Sequence, residues 1–106
     1  MAERWWQRLQ PIIRPLRRLT LAQRALLCAL ARGRTLKGHR YLNGRKAFRL
    51  YDSTKLLYDV ADADVAALQR YRLLDSNMKF PAATFFLSAR GMAVARAICE
   101  DEAGAP

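Results

Sequence analysis

A chain of 106 residues holds one domain, not two, and buries roughly 60–70% of its unfolded surface, enough for a core without metal or disulfide. With 52% hydrophobic and 26% charged residues the composition excludes wholesale disorder, and no run nears the roughly 18 apolar residues of a membrane span. Nineteen Lys and Arg against nine Asp and Glu leave +10, unevenly spread: net +12 over residues 1–50, with Glu3 as the one acid, and net −2 over residues 51–106. Such self-repulsion is tolerated when a polyanion neutralises it. Arginine outnumbers lysine fifteen to four, which fits either a planar donor fork for phosphate or a GC-rich genome that writes arginine codons.

Residues 1–19 form a basic arm. Trp5, Trp6, Leu9, Ile12, Ile13 and Leu16 recur near helical spacing, with Arg4, Arg8, Arg14, Arg17 and Arg18 between them. Pro11 and Pro15 break any continuous helix, so a short helix followed by irregular chain is expected. Trp5 and Trp6 are candidate anchors on the domain, on a second copy in a homodimer, or on a partner protein. The apolar run at residues 25–31 is short, and its leader long, for a secretory signal. A cytoplasmic location is therefore expected.

The domain, residues 20–99, opens on a capping box, Thr20 with Gln23, leading a helix whose broad apolar stripe of Leu21, Ala25, Leu26, Leu27, Cys28, Leu30 and Ala31 is expected in the core and which stops at Gly33. Asn43-Gly44 then separates strands expected at residues 34–42 and 45–51. A two-residue type I′ turn is expected, pairing Arg40 with Ala47, Gly38 with Arg49 and Leu36 with Tyr51. The ribbon is heavily basic, through Arg34, Lys37, Arg40, Arg45, Lys46 and Arg49, and Tyr41 and Phe48 are candidates for stacking on unpaired bases. A short third strand is expected at residues 55–58. Asp62 is the expected N-cap of a second helix over residues 63–72, burying Val65, Ala66 and Leu68. Leu73-Leu74 leads into a second hairpin with a polar turn (Asp75, Ser76, Asn77) and a return strand at residues 84–87. Ser88 caps a last helix ending near Glu100, and residues 100–106 form a flexible tail.

Cys28 and Cys99 each lie in apolar helical surroundings and are expected as reduced, buried thiols, consistent with an intracellular chain. His39 is the only histidine, and no His/Cys/Asp/Glu spacing suits a metal. No cofactor motif is present. His39, Asp52 and Asp59 are the acid–base groups nearest the ribbon, yet no nucleophile or carboxylate pair accompanies them, so an enzyme is not expected.

The run Val65-x-x-Leu68 … Leu73-Leu74 … Thr84-Phe85-Phe86-Leu87-Ser88-x-x-Gly91 resembles the recognition-helix, wing and closing-helix segment of winged-helix regulators. It departs from them in placing a basic hairpin where the second helix of a bihelical turn would lie. Gln23-Arg24-x-x-Leu27-x-x-Leu30-Ala31-Arg32-Gly33, then Gly44-Arg45, then Leu56-Leu57, resembles the YjhX family, small bacterial proteins classed as candidate toxins of toxin–antitoxin pairs. The likeness covers roughly residues 19–98. It implies a winged-helix-like fold and a mobile-element setting, and it transfers no catalytic residue.

The expected architecture is thus α+β, a winged-helix-like single domain with an inserted basic β-hairpin. The expected activity is binding of DNA or RNA, as a regulator or a YjhX-like toxin. Phosphate contacts are assigned to Arg34, Lys37, Arg40, Arg45, Lys46 and Arg49, and secondary ones to Arg14, Arg17 and Arg18. Asp62 and Asp64 argue against the second helix as the reading element, since they repel phosphate at its N-terminus. The alternative is a protein-interaction module whose basic half docks an acidic, antitoxin-like partner.

Overall fold

The computed structural model describes residues 18–77, 79 and 82–103. Trp5, Trp6, Arg14 and Arg17 lie outside them. Thr20 Oγ1 accepts from the Gln23 amide at 3.1 Å, and Gln23 Oε1 accepts from the Thr20 amide at 3.1 Å, closing the expected capping box. Helix α1 (Leu21–Ala31) follows. It ends where Gly33 takes a φ of +95°, with the Gly33 amide on the Leu30 carbonyl at 3.1 Å and the Arg34 amide on the Ala29 carbonyl at 3.0 Å. That pair of bonds satisfies carbonyls the helix would otherwise leave open.

Strands β1 (Thr35–Arg40), β2 (Lys46–Asp52) and β3 (Lys55–Val60) form a meander, followed by helix α2 (Asp62–Arg70), a hairpin of β4 (Leu74–Ser76) and β5 (Ala82–Leu87), and helix α3 (Ala89–Ala103). All pairings are antiparallel and the sheet order is β3-β2-β1-β5-β4. The chain is therefore a small α+β domain with a five-stranded sheet and three helices. Burial alternates along the central strands: Leu36 and Gly38, Phe48 and Leu50, and Ala83 and Phe85 point inward. They meet Leu26, Leu27 and Leu30 of α1, Val65 and Leu68 of α2, and Val94 and Ala95 of α3 in one core. The helices thus cover one face of the sheet. The residues of opposite parity form a second face that no described helix covers.

Gly38 is what lets the core close under the sheet's centre. A Cβ there would stand 2.6 Å from Phe85 Cε2 and 3.0 Å from Phe48 Cε1. Without one, the two rings meet edge to face, centroids 5.5 Å apart, over the glycine.

Several expectations are corrected. Asp62 lies inside the first turn of α2; the N-cap is Ala61, with no side-chain cap bond. Ala66 faces solvent, as do Leu21 and Ala25 of α1, whose core stripe is narrower than expected. The carboxylate of Asp64 instead takes a hydrogen bond from Gln23 Nε2 at 3.1 Å, so the buried Gln23 both caps α1 and ties it to α2. Leu19 belongs to the core, one residue before the expected boundary. Asp75 and Ser76 are strand residues, β3 extends to Val60, β5 begins at Ala82, and α3 continues past Glu100 to Ala103. Ser88 does cap α3, accepting from the Gly91 amide at 2.9 Å. Cys28 and Cys99 are joined in a disulfide rather than held as separate thiols. Helical periodicity placed each on an apolar face, but it carries no information on whether two faces 71 residues apart in sequence meet. Paired cysteines remove the argument from free thiols to a reducing compartment. Among the described residues, no helix is long and apolar enough to cross a membrane.

Candidate nucleic-acid interface

The site is built on the β1–β2 hairpin, and its turn decides which side chains share a face. The Tyr41 amide donates to the Arg45 carbonyl at 2.8 Å, the Gly44 amide to the Tyr41 carbonyl at 2.9 Å, and the Arg45 amide to Asn43 Oδ1 at 3.0 Å. Only Gly44 has positive φ, +85°, so the loop is Leu42-Asn43-Gly44, three residues rather than the expected two. The extra residue moves the register by one. Arg40 opposes Lys46, Gly38 opposes Phe48, Lys37 opposes Arg49 and Leu36 opposes Leu50. The observed register gathers Leu36, Phe48 and Leu50 on one face; the two-residue turn would have set Leu36 against Tyr51.

The six assigned cations consequently fall into separate groups. Lys37 and Arg49 are cross-strand neighbours on the uncovered face. Arg40 and Lys46 are neighbours at the hairpin's outer end and have the parity of the core residues, beyond the core's reach. Arg45 is exposed beside the turn. Arg34 lies at the ribbon's opposite end, 3.7 Å from Asp52. Arg18 is exposed ahead of α1. Like charges directly opposite on a ribbon oppose folding, and this hairpin carries two such pairs, on opposite faces and separated by two intervening pairs.

On the uncovered face the cations are interleaved with rings. Lys37 Nζ sits 5.7 Å from the centre of the Tyr51 ring, Arg49 Nη2 donates to Tyr41 Oη at 3.4 Å, and Tyr41 meets His39 edge-on at 4.8 Å. Arg49 Nε also lies 3.4 Å from Asp59. Tyr41 first, then a hydrogen bond with Tyr51, holds the Arg49 guanidinium above its ordinary pKa, against the opposing effect of desolvation and with Asp59 adding to the rise. Lys37, His39, Tyr41, Ala47, Arg49, Tyr51 and Ala82 frame a shallow depression of about 300 Å³. Phe86 lies on the same face, 48% exposed.

Phe48, expected to stack on bases beside Tyr41, is 8% exposed and points into the core, so that role is closed to it. Tyr51 and Phe86 were not singled out by sequence reasoning. Their alternation with the inward Leu50 and Phe85 is the signal that marks them, and it becomes legible only in the correct register. Asp52 and Asp59, the carboxylates nearest the ribbon, are engaged by Arg34 and Arg49. Among the described residues no three of His, Cys, Asp and Glu come together as a metal site. Compared with protein-family models, with curated proteins and with solved structures, the chain matches none of them.

Proposed function

We propose that the chain binds nucleic acid through the cationic β1–β2 hairpin, as a winged-helix-like protein of YjhX type that acts by binding rather than by chemistry. The observation that carries this reading is the presence of two like-charged cross-strand pairs on one hairpin, Lys37 with Arg49 on one face and Arg40 with Lys46 on the other at the hairpin's outer end, in a chain half of net +12. Like charges set opposite one another do not favour a hairpin, whereas phosphates brought to it neutralise them and release their counterions. The winged-helix reading is supported by the order β1-β5-β4, in which the first strand lies beside the return strand of the second hairpin. The β2–β3 hairpin then takes the place of the middle helix. The tie between Gln23 and Asp64, with Asp62 also in the first turn, turns the N-terminus of α2 away from a reading role. The toxin–antitoxin or mobile-element setting rests on the YjhX resemblance.

Titration of the full chain with random-sequence duplex at several salt concentrations tests the proposal. Log K falls linearly with log salt, and Arg45→Ala with Lys46→Ala reduces the magnitude of the slope by about two. An unchanged slope removes the hairpin end from the interface, and absence of binding in dilute buffer removes the function.

A further inference from the structure

Resting on the nucleic-acid reading, we infer that the face of the sheet that no described helix covers is a platform for unpaired bases, so that the preferred ligand is single-stranded. A duplex offers the hairpin its phosphates but keeps its base faces stacked internally. Only an unpaired strand can present base faces to rings, and this face presents rings. Tyr41, just past β1, is 41% exposed and Phe86, on β5, is 48% exposed, while His39 is exposed on β1 and Tyr51 half-buried on β2.

The charges complete the fit. Lys37 and Arg49 stand on the two adjacent strands β1 and β2, within the same depression of about 300 Å³ as His39, Tyr41 and Tyr51. The acids of this face, Asp59 and Asp75, stand on the edge strands β3 and β4. Asp59 is paired with Arg49 at 3.4 Å, so a polyanionic strand is attracted to Lys37 at the centre of the sheet and repelled from the β4 rim. Stacking on an aromatic ring tolerates any base, because every base has a π-face, and cations beside the rings hold the backbone. Apolar small residues, Ala47 and Ala82, flank the rings and leave room for a base to lie flat. Aromatic rings presented on the face of a sheet are one means by which proteins stack the bases of single strands.

The experiment measures binding of the full chain, by fluorescence anisotropy, to a ten-nucleotide oligothymidylate, to an abasic strand of equal length and phosphate count, and to a duplex. The strand with bases should bind at least about tenfold tighter than the abasic strand. Tyr41→Leu and Tyr51→Leu should each remove most of that margin while leaving abasic affinity unchanged, and Tyr41→Phe should keep it. Equal affinity of the wild-type chain for the based and abasic strands overturns the platform and leaves the phosphate-binding hairpin standing; that comparison needs no variant to fold. Failure to bind any of the three at low salt overturns both readings. Leucine variants that alter the sedimentation coefficient and not the base-dependent margin assign the face to a contact between copies, and also overturn the platform.

Discussion

At the scale of single residues, Gly91 is the most tightly hemmed in of the described glycines, against the turn before β4. A Cβ on Gly91 would collide with the backbone carbonyl of Leu73. The same turn is held by the Ser88 amide on the Leu73 carbonyl at 3.0 Å and by Ser88 Oγ, which donates to the Arg72 carbonyl at 2.7 Å. Arg72 is meanwhile in the left-handed region, φ 60°. The start of α3 is thus clamped onto backbone, which yields far less than a side chain does. Gly91→Ala should lower stability by about 1–3 kcal/mol, read from urea unfolding; an unshifted midpoint would mean that the helix slides away freely.

Tyr58 provides a residue whose charge state reports on its surroundings. Burial first, and the Asp64 carboxylate second, raise its hydroxyl above the ordinary 10.0. The folded chain therefore holds this proton more tightly than the unfolded chain does. The corresponding stability is complete below about pH 10 and is lost as pH climbs through the raised value. Tyr58→Phe should leave stability near pH 7 almost unchanged and make the decline above pH 10 shallower. Parallel declines for the two proteins refute the assignment.

At the scale of elements, what was legible in the sequence was local. The Thr20–Gln23 box, the Gly33 stop and the Ser88 cap are written in neighbouring residues, and the helices begin or end where those residues put them. The hairpin was located correctly by Asn43-Gly44 but given the wrong register, since the same dipeptide serves a two-residue turn and a three-residue loop with glycine last. The deciding information was apolar content: only one register puts Leu36, Phe48 and Leu50 on a common face. The same ambiguity divided the candidate site. Its cations were legible because charge does not depend on register, whereas Tyr51 and Phe86 depend wholly on knowing which face each strand buries. The pairing of Cys28 with Cys99 was illegible for a related reason, since it depends on how α1 packs on α3.

At the scale of the whole molecule, two features oppose the repulsion within the basic half. One is electrostatic: Arg34 with Asp52 and Arg49 with Asp59 each join a cation of residues 1–50 to an acid of residues 51–106. Both pairs are largely exposed, so each adds little, and less in salt. The other is covalent. The disulfide links the first helix of the fold to the last across 71 residues, and the closed loop contains the entire sheet and α2. Closing a loop of that length in the unfolded chain removes entropy equivalent to about 4 kcal/mol in the chain-entropy model. Because every strand lies inside the loop, opening it should weaken the domain as one unit rather than fray one end. Cys28→Ala with Cys99→Ala should therefore lower the urea midpoint in a single cooperative transition, and reductant should shift the wild-type midpoint in the same direction while leaving the double variant where it is. A wild-type midpoint indifferent to reductant would show that helix packing alone holds α1 against α3.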